Sequence, residues 1–123
     1  MDSQKQTLTF ISRLAPYGRN EPQLCMEMAL AAAVFEQQVN YVFLDDGVLQ
    51  LLTQQSAENF IHSKTLANML ETLDLYGIEN VYVDQQSLAQ RKLQAEDLII
   101  AVTPMDRAAL TALIDQSDCV FNL

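Results

Sequence analysis

Apolar residues recur along this chain with two periods, and each period predicts one kind of element. Alternating or continuous apolar runs of about four to eight residues indicate strands, whereas apolar residues three and four positions apart indicate helices. Strands are predicted at Thr7–Ser12, Val39–Leu44, Val81–Val83, Leu98–Val102 and Cys119–Leu123. Helices are predicted at about Pro22–Gln37, Val48–Leu52, Ser63–Leu75, Ser87–Arg91 and, after a cap at Thr103-Pro104, up to about Gln116. Asn20 or Glu21 is expected to cap the first of these helices, and Tyr76-Gly77 is expected to end the third.

The order of these elements predicts the fold class. Strands that alternate with helices form βαβ units, whose strands lie parallel in one sheet. We therefore expect a three-layer α/β/α fold with a mostly parallel sheet of about five strands, similar in outline to flavodoxin. The 123 residues suit one domain, so residues 1–123 are interpreted as a single domain.

The first predicted helix is unusually apolar. Between Leu24 and Phe35 the sequence "LCMEMALAAAVF" has one polar residue, Glu27. A helix that is apolar on every side needs cover, and in so short a chain the expected cover is another subunit. The alternative is that its small alanine side chains stand exposed at little cost.

Composition narrows the classes of partner. The formal net charge is −9, and the longest basic run is Arg91-Lys92. Because proteins bind nucleic acid largely by neutralising phosphates with Lys and Arg, direct binding to nucleic acid is not expected. The sequence shows no secretory signal and no apolar run that could span a membrane, so we expect a cytoplasmic protein without membrane contact. Its two cysteines are then expected to be reduced thiols.

In the stretch "VYVDQQSL", Asp84 directly follows the third predicted strand. Ligands and catalytic groups of open α/β sheets lie at the carboxyl ends of strands. The residues that follow the third strand, however, include no Cys, His or Gly. With three glycines in all, the chain has no phosphate-binding glycine loop, and its single His62 lies far from either cysteine. We therefore expect neither a cofactor nor a metal site.

Cys25 is the one weak candidate for a catalytic residue. It lies in the first turns of the apolar helix, where the helix dipole favours a thiolate, but its neighbours are apolar, so a structural role is favoured. Cys119 lies in a strand that we expect to be buried.

Another interpretation of the chain is a small-ligand-binding module. Its cleft would be formed by Arg13, Tyr17, Gly18 and Asp84, if the first and third strands are neighbours.

Four stretches together resemble one known family. They are "RLAPYGRNEPQ", "VFLDDGVLQLL", "LDLYGIENVYVDQQSLAQR" and "AVTPMDRAALTALIDQSDCVFNL", in that order. They are similar to the DsrE/DsrF/DsrH family of small sulfur-relay proteins and, within it, to the TusC/DsrF group. The resemblance covers essentially the whole chain.

This resemblance implies a subunit of a cytoplasmic complex that receives persulfide sulfur and passes it on. The implied partners are TusB-like and TusD-like subunits, in a heterotrimer that dimerises to a hexamer, and a downstream sulfur acceptor protein. In the Tus case the relay serves 2-thiolation of the wobble uridine of transfer RNA, and in the Dsr case it serves sulfur oxidation. The active cysteine belongs to the TusD/DsrE-type partner, in the loop after the third strand, and the matching position here is Asp84.

Two functions therefore remain open. The first is a non-catalytic subunit of a sulfur-relay complex, with tRNA 2-thiolation as the favoured pathway. The second is a self-assembling DsrE-like carrier that uses Cys25 as its thiol. The small-ligand module is a third, weaker possibility.

Overall fold

The computed structural model describes residues 5–15, 20–52 and 68–123. Its strands and α-helices are β1 (Thr7–Ser12), α1 (Glu21–Val34), β2 (Gln38–Phe43), β3 (Asn80–Asp84), α2 (Gln85–Gln90), β4 (Thr103–Met105), α3 (Arg107–Asp115) and β5 (Cys119–Asn122). Residues 68–71 are also helical. Short 3-10 helices lie at Asp45–Leu51, Asp74–Tyr76 and Ala95–Asp97.

The five strands form one parallel sheet in the order β4-β3-β2-β1-β5. The predicted α/β class, with a parallel sheet of five strands, is confirmed. The likeness to flavodoxin is limited to the layered outline, because flavodoxin-like sheets have the order 2-1-3-4-5. Here β2 is the central strand and separates β1 from β3, so the condition set for the Arg13–Asp84 cleft does not hold.

Alternate residues of each strand point to opposite faces, and the two faces carry unequal cores. On one face the buried Phe10, Tyr41 and Val83 pack in a large cluster with α1 and the helical residues 68–71. On the other face Ile11 and Val42 pack against Leu110 of α3 in a much smaller cluster.

Helix α1 buries one side and exposes another. Its buried residues are Pro22, Cys25, Met26 and Ala29. The exposed side consists of Leu24, Glu27, Ala31 and Val34, of which only Glu27 is polar. Of the two predicted cap positions, Asn20 and Glu21, the N-cap is Asn20, although its side chain makes no capping hydrogen bond. The helix ends at Val34, about three residues before the predicted end, and Glu36 then takes a positive φ of 65°.

The fourth strand was predicted at the wrong place. Residues 98–102 form no strand, apart from a single antiparallel bridge between Leu98 and Leu52, and β4 follows at Thr103–Met105. The cap predicted at Thr103-Pro104 is also wrong, since Asp106 caps α3 by accepting a hydrogen bond from the Ala109 N–H (2.8 Å). Pro104 fits β4 because an edge strand leaves one side of its backbone unpaired.

Two further predictions, on the end of a helix and on the burial of β5, have different outcomes. Gly77 has a φ of 89°, as expected for the left-handed residue that ends the predicted helix Ser63–Leu75, of which residues 63–67 lie outside the described residues. Strand β5 was expected to be buried, but it is an edge strand paired with β1, and its Cys119 is exposed.

Candidate functional site

The candidate site lies where β3 ends and α2 begins. Asp84 is the last residue of β3 and the N-cap of α2, and its side chain is fully buried. Its Oδ2 accepts hydrogen bonds from the backbone N–H of Ser87 (3.1 Å) and from the Ser87 hydroxyl (2.5 Å). An aspartate three residues before a serine therefore turns the chain from strand into helix without a glycine.

Arg107, in the first turn of α3, forms an ion pair with the same carboxylate. Its Nε donates to Oδ1 (3.1 Å) and its Nη2 donates to Oδ2 (3.0 Å), which is a two-pronged contact. Burial raises the pKa of Asp84, but the hydrogen bonds from Arg107 and Ser87 and the charge of Arg107 outweigh it, so the pKa lies below its ordinary value. Asp84 is accordingly an ionised carboxylate whose two oxygens are both occupied.

Asp45 and Ser87 extend this network toward β1. The backbone N–H of Asp45 donates to the Ser87 hydroxyl (2.9 Å), and the Asp45 carboxylate accepts hydrogen bonds from Arg13 (2.9 and 3.2 Å). Asp45 has a positive φ of 54°, a conformation that aspartate tolerates better than most residues. Arg13 and Asp84 thus belong to one network, although their strands are not neighbours.

Arg91 completes the network on the far side of α2. It donates to Oδ1 of Asp46 (2.8 and 3.2 Å) and to the carbonyl oxygen of Ser87 (3.1 Å). All three arginines in the described part of the chain are therefore paired with aspartates at this edge of the sheet. Such a network holds loops in place but supplies no nucleophile that could carry sulfur.

Cys25 is buried between α1 and β2, within the larger of the two core clusters. Its thiol is fully buried beside Tyr41, and burial raises its pKa, although the contact with Tyr41 opposes this rise. The Tyr41 hydroxyl lies near both Cys25 and Ser12 but makes no well-formed hydrogen bond, and burial raises its pKa well above the usual value. A neutral, inaccessible thiol is a poor nucleophile.

Cys119 is accessible but lies at the wrong end of the sheet for this site. It pairs with Leu8, near the beginning of β1, whereas Asp84 ends β3 at the carboxyl edge. Among the described residues, the carboxyl edge therefore carries no accessible cysteine thiol.

The remaining predicted site residues are placed as follows. Tyr17 and Gly18 lie outside the described residues, so the proposed cleft of Arg13, Tyr17, Gly18 and Asp84 is not described as a whole. Within the described ranges, no three His, Cys, Asp or Glu residues are grouped so that they could hold a metal ion. In the same ranges, no helix is both long and apolar enough to cross a bilayer.

Sequence reasoning missed two partners of Asp84. Ser87 has a local signal, because an aspartate at the N-cap of a helix accepts a hydrogen bond from the backbone N–H two or three residues further on. Arg107 lies 23 residues along the chain, and nothing local to Asp84 indicates it.

Comparison with known proteins identifies the class to which this fold and site belong. The model of the DsrE/DsrF-like family matches residues 6–123, so the chain belongs to that family. This confirms the family recognised from the sequence, and the relatives place the chain in its TusC/DsrF group.

Two relatives are called "Protein TusC homolog". That of Vibrio vulnificus (strain CMCP6) is 40% identical over 89% of this chain and 92% of its own length. That of Pasteurella multocida is 40% identical over 94% of this chain and 98% of its own length. A third, the "Intracellular sulfur oxidation protein DsrF" of Allochromatium vinosum, is 35% identical over 92% of this chain and 93% of its own length.

A solved structure supports the fold. The crystal structure of the ychN protein from E. coli superposes with a TM-score of 0.80, covering 96% of this chain and 99% of that one. At 21% identity, this likeness concerns the fold alone.

Proposed function

We propose that this chain is a non-catalytic subunit of a cytoplasmic sulfur-relay complex, in which persulfide sulfur passes through a partner. One observation carries the proposal: Asp84, at the position that the resemblance matches to the partner's active-cysteine loop, is a buried aspartate in an ion pair with Arg107. A carboxylate cannot form a persulfide. The names of the relatives, TusC homolog and DsrF, support the relay context.

The proposed partners are TusB-like and TusD-like subunits in a dimerised heterotrimer, together with a downstream sulfur acceptor. Exposed apolar residues support a role in assembly. Val34 and Phe35, at the end of α1, are 64% and 76% exposed, and Leu75 and Tyr76, in the 3-10 helix that α1 contacts, are 79% and 52% exposed. We call these four residues the α1-end patch.

The α1-end patch can contribute substantially to assembly. Covering about 400 Å² of apolar surface contributes on the order of 10 kcal/mol before the cost of association. The exposed side of α1 adds Leu24 and Ala31 to the same helix surface.

The pathway we propose is 2-thiolation of the wobble uridine of transfer RNA, which the resemblance associates with the Tus proteins. The test removes the gene from its organism and restores it as a thiol-free chain, Cys25→Ala with Cys119→Ala. We expect the thiol-free chain to restore 2-thiouridine, measured by mass spectrometry of digested tRNA, because neither thiol serves the relay. A chain that folds and assembles but fails to restore it would instead support the carrier that uses Cys25.

A second experiment tests assembly. Phe35→Ser with Leu75→Ser should prevent co-purification with the two sister subunits, because both side chains lie in the α1-end patch. The matched control is Ile114→Ser with Val120→Ser, which removes two apolar side chains, 38% and 40% exposed, from α3 and β5. If both pairs leave the complex intact, or both disrupt it equally, the α1-end patch is not the specific interface.

A further inference from the structure

The apolar run at residues 98–102 lies along the edge of the core instead of forming a strand, and we call its Ile100 and Ala101 the ridge. Its sequence, Leu-Ile-Ile-Ala-Val, is typical of a buried strand, yet none of the five residues is fully buried and Ala101 is exposed. Ile99 is held to the 3-10 helix Asp45–Leu51 by a backbone hydrogen bond to the Leu51 carbonyl (2.8 Å). Leu98, Ile99, Ile100 and Val102 pack against the core but remain partly exposed, which leaves apolar surface beside Ala101 that a partner could cover.

Two open grooves lie on either side of this ridge and share Ile100 and Ala101 as a wall. The first, of about 320 Å³, has an apolar floor that includes Leu70, Leu73 and Ile78. We call it the acidic groove, because Glu71, Asp74 and Glu79 also line it. The second, of about 450 Å³, is the neutral groove, lined by Leu88, Leu93 and Pro104 among other residues.

The charges around the acidic groove determine the chemistry of its partner. Three carboxylates line it, and no Lys or Arg is among the described residues that line either groove. Carboxylates around an apolar floor complement Lys or Arg side chains that flank an apolar side chain. A polypeptide fits this arrangement better than a small molecule, because two grooves divided by a ridge call for two separate side chains.

We propose that the two grooves dock a segment of a partner polypeptide whose apolar side chains straddle Ile100 and Ala101. Its Lys or Arg side chains meet Glu71, Asp74 and Glu79. This surface is distinct in its residues from the α1-end patch and from the Asp84 network, so the proposal does not depend on the proposed function. A chain with this surface can bind one partner through α1 and a second, basic partner through the grooves.

The test measures binding of a capped synthetic peptide of alternating leucine and lysine to the purified full chain, by calorimetry and by amide chemical shifts. We expect the shifts to concentrate at residues 70–81 and 98–104. A peptide with glutamate in place of lysine should bind at least about tenfold more weakly, because it meets like charge.

Two triple variants separate a specific site from general attraction. The rim variant, Glu71→Gln with Asp74→Asn and Glu79→Gln, and the control variant, Glu27→Gln with Glu96→Gln and Asp115→Asn, each change the net charge from −9 to −6 by removing three exposed carboxylates. The rim variant should weaken binding about tenfold and the control variant less than about threefold.

Ala101→Arg is the steric test of the ridge. Ala101 is exposed, so the variant should fold, while a cation placed between the grooves should abolish binding of the lysine peptide. The proposal is overturned if both triple variants weaken binding equally, if Ala101→Arg binds as the unchanged chain does, or if the unchanged chain does not bind the lysine peptide.

Discussion

Removal of the Asp84 side chain tests whether the hydrogen bonds and the ion pair at the carboxyl edge of the sheet stabilise the fold. Asp84→Ala removes the cap of α2, which contributes about 1 kcal/mol. It also removes the charge-assisted hydrogen bonds from Arg107, worth about 1.5–3 kcal/mol. Because the Arg107 side chain is 57% exposed, its freed guanidinium is hydrated, so the lower end of that range applies. With a buried Ser87 hydroxyl left without its acceptor, we expect a loss of about 3 kcal/mol in the free energy of unfolding.

The assay is urea unfolding followed by circular dichroism, supported by thermal unfolding. In a domain of this size a loss of about 3 kcal/mol should lower Tm by about 12 °C. The matched control is Asp46→Ala, which breaks the ion pair with Arg91 at a side chain that is 59% exposed. That change should cost less than about 1 kcal/mol.

The pH dependence of Asp84→Asn gives an independent check. The pKa of Asp84 is lower in the folded state than in the unfolded chain, so its charge stabilises the fold above the unfolded value of about 4. This stabilisation is lost as the pH falls through the folded pKa. The stability difference between the unchanged chain and Asp84→Asn should therefore be greatest near neutral pH and shrink below about pH 4. A cost for Asp84→Ala no larger than that for Asp46→Ala, at neutral pH, would refute the reasoning.

Three further perturbations address other parts of the fold. A thiol reagent in excess should modify Cys119 in the folded chain and reach Cys25 only after denaturation, as read by mass spectrometry; rapid modification of both would contradict the burial of Cys25. Gly47→Ala should cost more than about 2 kcal/mol in urea unfolding, because its Cβ would lie 2.0 Å from the Ser12 carbonyl oxygen; a cost below about 0.5 kcal/mol would contradict that close approach. Tyr41→Phe should leave stability unchanged or raise it, because it removes a buried hydroxyl without a hydrogen-bond partner; a loss above about 1 kcal/mol would show that the hydroxyl is bonded.

The elements that sequence predicted well are those whose residues carry local signals. Strand β1 was predicted with its observed bounds, and β3 within one residue at each end, because each is a short β-branched and aromatic run. Gly77 marked its helix end because a left-handed cap favours glycine.

The sequence predictions were wrong for features that depend on residues distant in the sequence. A continuous apolar run such as residues 98–102 has the composition of a strand, but strand formation depends on which backbone lies beside it, and here β3 pairs with Thr103–Met105. For the same reason, nothing local to β5 showed that it would be an edge strand. At the candidate site, Asp84 was located from the sequence, whereas its contact with Arg107 depends on how α3 packs.

The neighbouring positions of β1 and β5 affect how the chain folds. Phe10 and Phe121 stack with their ring centroids 4.8 Å apart, and the Thr7 N–H donates to Asp118, a contact that spans 111 residues of sequence. Contacts this far apart in sequence carry a high loop-closure cost and form slowly. During synthesis, this edge of β1 therefore stays open until β5 leaves the ribosome. That interval is when this chain is most prone to pair with the wrong strand, and a chaperone that shields β1 would give its greatest benefit then.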